Sequence, residues 1–202
     1  MTLPVESDFA AAVALWREWN GRINVVSRKD EENIFGHHIL HSLAIAEYLE
    51  RTYGIVPETC RDSFLDVGTG GGFPGIPLAL TFPGASFTLC DSIGKKIKVA
   101  QAVCDGLGLK NAECVNARVE SLRGPWDWVV SRAVTSLDNF YPWVRGRFGR
   151  SILYLKGGDV NAEIAALVAR CHVPRENISC WKIESWLKDE YFAEKFVIEI
   201  KR

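Results

Sequence analysis

The sequence predicts an α/β fold, a doubly wound and mostly parallel sheet preceded by an N-terminal helical extension. Three observations predict it. Short apolar, β-rich runs alternate with helical ones between Ser63 and Lys156, the pattern of parallel strands covered on both faces. A glycine-rich loop follows directly on the first of these runs, where a doubly wound sheet places its ligand. The 202 residues, 48% hydrophobic and 24% charged, suit one main domain that can bury a real core. The expected division is 1–57 for the extension and 58–202 for the main domain.

The elements follow in order. In the extension, Phe9, Val13, Leu15, Trp16 and Trp19 form one apolar stripe at helical spacing, and Ile34, His38, Leu40, Leu43, Ala46 and Leu49 form another. Between them Gly21–Arg28 reads as a turn and a short extended piece, and the acids of Asp30-Glu31-Glu32 stand where a helix start favours them. Strands are expected at Ser63–Val67, Ser86–Cys90, Ala112–Asn116, Trp128–Ser131 and Ser151–Leu155, with helices at Ile76–Thr81, Lys95–Leu107 and Leu137–Val144. A further helix, Val160–Arg170, precedes the strand-like runs Ser179–Ser185 and Lys195–Lys201. No helix separates that last pair, so they are expected to close the sheet as an antiparallel edge.

A formal net charge of -1 excludes a polycation, so any nucleic-acid contact rests on a local patch. No apolar run approaches the roughly 20 residues of a membrane span. The opening Met1–Ala10 has acids where a secretion signal needs bases, so a cytoplasmic protein is expected. None of the six cysteines (Cys60, Cys90, Cys104, Cys114, Cys171, Cys180) forms C-x-x-C. They are expected to be reduced thiols, buried or half-buried, and no metal site is expected.

The run Leu65-Asp66-Val67-Gly68-Thr69-Gly70-Gly71-Gly72-Phe73-Pro74-Gly75 carries the chemistry. From Gly70 it matches the dinucleotide pattern G-x-G-x-x-G. Asp66 at the strand end opposes a pyrophosphate but welcomes an ammonium group, and Pro74 and Pro77 remove amide donors that a phosphate would use. A ligand combining an amine with an adenosine suits the loop better, and S-adenosylmethionine is one. Asp91, ending the second strand, stands where such folds place a ribose-binding carboxylate. After the third strand, Asn116-Ala117-Arg118-Val119-Glu120 offers backbone amides to an adenine, and the fourth strand ends at Ser131-Arg132-Ala133.

Taken together, these segments resemble the glucose-inhibited-division protein B family, bacterial methyltransferases of N7 of a guanine in small-subunit ribosomal RNA. The resemblance rests on Leu65–Leu78, on Phe87–Lys96, on Gly106–Asn111, and on the short runs Ala117–Glu120, Val130–Ala133 and Leu155–Gly157. Asn24 and His37-His38-Ile39-Leu40-His41-Ser42-Leu43 match its N-terminal signature. It implies a class I methyltransferase fold with a seven-stranded sheet, and S-adenosylmethionine as donor. Its cofactor positions fall on Gly68, Phe73, Val119, Glu120 and Arg132, with Asp91 as ribose ligand; Asp66 and Gly70 join them from the loop reading. His41 stands where the family carries an Asp.

Guanine N7 has an in-plane lone pair and no proton, so the reaction is an in-line displacement that needs alignment rather than a strong base. Accordingly no residue is assigned as a chemical catalyst. The chain lacks the N-P-P-[YFW] run of adenine-N6 enzymes and a Pro-Cys nucleophile. Arg132 is the candidate to touch both cofactor and substrate. Arg28, Lys95, Lys96, Arg145 and Lys156 are candidates for RNA phosphates, and His38 for a hydrogen bond to substrate. The tryptophans are expected to pack as core or edge aromatics. A monomer acting on 16S RNA or the small subunit, not on DNA, is expected. Competing readings are a class I methyltransferase of a small molecule or protein, a nicotinamide oxidoreductase, and a non-catalytic binding module.

Overall fold

The structure is a computed structural model that describes residues 2–202. A 3-10 turn at Glu6–Phe9 leads into helix α1 (Ala10–Asn20). A 3-10 segment at Arg28–Asn33 and a π-helical stretch at Ile34–Leu40 then run into α2 (His41–Tyr53). The alternating part follows as β1 (Ser63–Val67), α3 (Gly75–Thr81), β2 (Ser86–Asp91), α4 (Gly94–Leu107), β3 (Ala112–Asn116), β4 (Trp126–Arg132), α5 (Leu137–Val144), β5 (Phe148–Gly157) and α6 (Asn161–Cys171). Strands β6 (Ile178–Lys182) and β7 (Lys195–Lys201) complete it.

The seven strands lie in the order β3-β2-β1-β4-β5-β7-β6. The first five run parallel, and β7 lies antiparallel between β5 and β6. The order reverses beside β1, so the ends of β1 and β4 flank the crevice where such sheets bind ligands. Central β1 is buried on both faces, whereas edge strand β3 is half exposed. Apolar clusters fill both sides. One joins the extension, α3 and α4 to one face of the sheet; the other packs α5 and α6 on the opposite face. Phe64 of β1 stacks on Phe87 of β2 at 4.8 Å, the kind of same-face neighbour contact that parallel register produces.

Two local expectations are corrected. Among the described residues, Gly21–Arg28 contains no strand; Asn20 Oδ1 instead accepts from the amides of Val25 and Val26, both at 2.9 Å, and turns the chain there. The run Ser179–Ser185 is strand only as far as Lys182, where a 3-10 turn over Ile183–Ser185 lets Ile183 enter the core. The six cysteines are free thiols, but Cys180, on outer strand β6, is exposed rather than half-buried.

Candidate active site

The carboxyl ends of β1, β2 and β4 open onto a cleft of about 380 Å³, within the range of small-molecule sites. Gly68 is its floor. Its φ is +71°, and a Cβ there would meet Val134 Cγ2 at 2.4 Å, so the position admits only glycine without rearrangement. Asp91 closes one side. Its Oδ2 accepts from the Gly70 amide at 2.9 Å and its Oδ1 from the Ile93 amide at 2.8 Å. Each carboxylate oxygen keeps a second lone pair for a ligand hydroxyl. Val119 and Glu120 form another wall, and Ile93, Val134 and Trp143 add apolar surface.

The loop between β1 and α3 is held from below and from outside. Asp66 is fully buried, and its Oδ2 accepts from the Gly75 amide at 2.8 Å. Burial pushes its carboxyl up to about 7, against the opposing pull of the Thr69 side chain, the Gly75 amide and the Arg132 charge. It does not line the cleft, which corrects its expected contact with a ligand amine: it supports the loop that the ligand meets. Phe73 is likewise a buried prop, stacked on Trp16 at 4.2 Å. Trp16 also donates its indole N–H to the Gly71 carbonyl at 2.7 Å, and Val25 sits so close over Gly71 that a Cβ there would meet it at 2.8 Å. The helical extension is therefore one wall of the loop.

Arg132, ending β4, borders the cleft with its guanidinium 4.8 Å from the centre of the Phe73 ring. Burial lowers its pKa to about 10, so it remains a cation at neutral pH. His38 Nδ1 lies 3.1 Å from its Nη2. Burial first, then the Arg132 charge, depress His38 to about 4, so the ring is neutral. Asp30 accepts from His38 Nε2 at 2.7 Å and bonds His37 Nδ1 at 2.5 Å. Burial raises this carboxyl, but the two histidine hydrogen bonds outweigh it and hold the group below its ordinary value.

The expected phosphate contacts divide. Lys96 lines the cleft, and Lys95 and Arg28 are exposed. Arg145 stands in the turn between α5 and β5, at the amino-terminal edge of the parallel sheet and away from the loop. Its neighbours there are engaged: Arg147 donates to the carbonyls of Glu120, Leu122 and Trp143, and Arg150 pairs with Asp62 at 2.9 Å. Lys156 reaches the correct edge but pairs with Glu163 at 2.8 Å, and Glu163 also accepts from the Leu137 amide that begins α5. Trp143 packs against the second apolar cluster, as expected, and lines the cleft as well. Lys195 at the start of β7 lies at the same edge and rests on the Tyr191 ring at 4.0 Å. No motif or spacing signals it, because only the antiparallel turn of β7 brings its first residue there.

The sheet order, the loop after β1 and the acid that ends β2 define a class I S-adenosylmethionine-dependent methyltransferase fold. The magnesium protoporphyrin IX methyltransferase of Synechocystis PCC 6803, solved with its S-adenosylmethionine, shares this fold with a TM-score of 0.65 at 16% identity, over 100% of this chain and 99% of that one. The model of the family described as rRNA small subunit methyltransferase G matches residues 6–184. Proteins named ribosomal RNA small subunit methyltransferase G are 41% identical over 200 residues in Christiangramia forsetii and 42% identical over 200 residues in Cytophaga hutchinsonii. Those alignments cover 95% of this chain in both cases, with 88% and 90% of the relatives. The chain belongs to this rRNA small subunit methyltransferase G family.

Proposed function

We propose that this protein transfers the methyl group of S-adenosylmethionine to N7 of a guanine in 16S ribosomal RNA, acting as a cytoplasmic monomer. Membership of a family named for methylating small-subunit ribosomal RNA carries the reading. The cleft supports it. Gly68, Asp91, Val119, Glu120 and Arg132 surround the space a methyl donor needs, and Gly70, Asp66 and Phe73 hold the loop. Asp91 keeps lone pairs for ribose hydroxyls, and the glycine floor allows close approach, so the residues fit this cofactor. The bound donor supplies an electrophilic methyl group. The chain supplies alignment, apolar surface from Val119, Ile93 and Val134 along the cleft, and a fixed guanidinium beside the reacting centre.

A division near residue 57 is one of roles: the main domain holds the donor, and the extension shapes the loop and presents His38. Arg28, Lys95 and Lys96 face RNA phosphates, with Lys195 joining them. Among the described residues no helix is long and apolar enough to cross a membrane.

The test is transfer of labelled methyl from S-adenosylmethionine to unmodified small subunits, with deproteinised 16S RNA, transfer RNA and a protein extract in parallel. The expected product is 7-methylguanosine in subunits or 16S RNA. Label in protein or a small molecule would overturn the substrate, and label as another nucleoside would overturn the position.

A further inference from the structure

Arg132 is a half-buried cation at the cleft, held in an unusual way. Among the described residues it has no ion-pair partner; its two hydrogen bonds go to one histidine, through Nη2 to His38 Nδ1 at 3.1 Å and through Nη1 to the His38 carbonyl at 3.5 Å. A guanidinium carries only N–H groups, so His38 Nδ1 must be the acceptor. The ring proton therefore sits on Nε2, and among the described residues Asp30 Oδ2 receives it at 2.7 Å. The three residues come from a 3-10 segment, a π-helical stretch and the end of β4, His38 and Arg132 lying 94 positions apart in the sequence.

We infer that Asp30 is a positioning residue for the reaction: by accepting from His38 Nε2 it turns the Nδ1 lone pair toward Arg132 and so fixes the guanidinium at the cleft. Without Asp30 the imidazole is free to carry its proton on Nδ1, and an N–H there would face the N–H groups of Arg132. The arginine would lose its bond to the ring and keep only the longer contact to the His38 carbonyl and the face of Phe73, at the border of the cleft. The second arm of Asp30 makes the arrangement stiff. His37, bonded to the other carboxylate oxygen, stacks on Tyr191 at 3.6 Å and 3°. Lys195 lies 4.0 Å from the same ring, and steric exclusion places it on the opposite face from His37. Asp30 thus joins the start of β7 to the cleft arginine through two histidines.

This inference rests on the proposed placement of Arg132 at the reacting centre. Its test uses the full chain with Asp30→Ala, Asp30→Asn, Arg132→Ala and the Asp30→Ala/Arg132→Ala pair. Single-turnover methyl transfer to small subunits, S-adenosylhomocysteine affinity and long-range ¹H–¹⁵N spectra of the histidine rings are measured for each. Wild type should show His38 protonated on Nε2, and Asp30→Ala should lose that form. Asp30→Ala should slow transfer about 10- to 100-fold, the loss expected from a misplaced group near the chemistry, with cofactor affinity changed less than about threefold. Asn still accepts from Nε2–H, so Asp30→Asn should restore most of the rate. In the Arg132→Ala background, Asp30→Ala should cost nothing further.

A purely structural Asp30 predicts otherwise: losses that multiply with those of Arg132→Ala, and no rescue by Asn. Either result, or a wild-type His38 protonated on Nδ1, overturns the inference. Should wild type methylate no ribosomal substrate, it is the proposed reaction that fails. The positioning role is then judged on the ring spectra and the Arg132 Nε–H signal, whose persistence in Asp30→Ala overturns it and whose loss upholds it.

Discussion

The indole of Trp16 donates to the carbonyl of Gly71 at 2.7 Å across 55 residues of sequence, and the same ring stacks on Phe73. Helix α1 therefore does more than cover apolar surface: it fixes the backbone of the loop proposed to hold the cofactor. Removing the ring should act on stability and on binding together.

Trp16→Ala is expected to cost about 3–5 kcal/mol, the range for deleting a large core aromatic. Trp16→Phe keeps most of the packing and leaves the buried Gly71 carbonyl unsatisfied, a loss of about 1–3 kcal/mol. Chemical denaturation gives both figures. Calorimetric titration with S-adenosylhomocysteine should show Trp16→Phe binding more weakly than wild type; unchanged affinity would mean that the loop keeps its shape without the extension.

Gly68→Ala meets both the left-handed backbone and the methyl of Val134. The backbone alone costs about 1–2 kcal/mol, and the clash displaces either the loop or Val134 within the cleft. Thermal protection by S-adenosylhomocysteine should fall sharply. Adding Val134→Ala should recover part of it, since the nearest obstructing atom is then gone. Equal loss in single and double variants would trace the defect to the backbone alone.

Asp66 provides the pH test. Its folded pKa, about 7, lies above the ordinary value of 3.8. A raised carboxyl favours folding fully below the unfolded pKa, and that contribution is lost as pH rises through the folded value. Asp66→Asn does not titrate, so relative to wild type it should gain stability between pH 4 and pH 7, by up to about 4 kcal/mol. His38, depressed to about 4, contributes with the opposite sign over pH 4 to 6.5 in both proteins and cancels in the difference. Parallel denaturation curves for the two proteins across this range would show that Asp66 titrates normally.

The cations should separate by position. Lys95→Ala with Lys96→Ala should weaken binding to small subunits and lower the salt slope by about one for each phosphate no longer neutralised. Arg150→Ala, at the opposite end of the sheet, should leave that slope unchanged. Lys156→Ala breaks its pair with Glu163 and should cost about 1–3 kcal/mol of stability with no change in slope. A slope lowered by Lys156→Ala would restore that residue to the RNA-binding set.

Particular residues mark how far the sequence reaches. The strands were legible as short β-rich runs set between helical ones, and β1, β3 and β7 lie where those runs place them. The loop was legible because only glycine tolerates the approach and backbone angle at Gly68, and Asp91 because it ends the strand beside that loop. Those are local constraints, written in consecutive residues. Tertiary structure alone decided that Asp66 lies beneath the loop, that Arg145 and Arg150 stand at the far edge of the sheet, and that Lys156 is already paired. It alone carried Asp30 and His38 to Arg132. Pairing β1 with β4 and folding the extension over the loop bring together groups as much as 94 residues apart. Which of two ends a side chain occupies, and whether another residue has neutralised it, depends on partners that no neighbouring residue specifies.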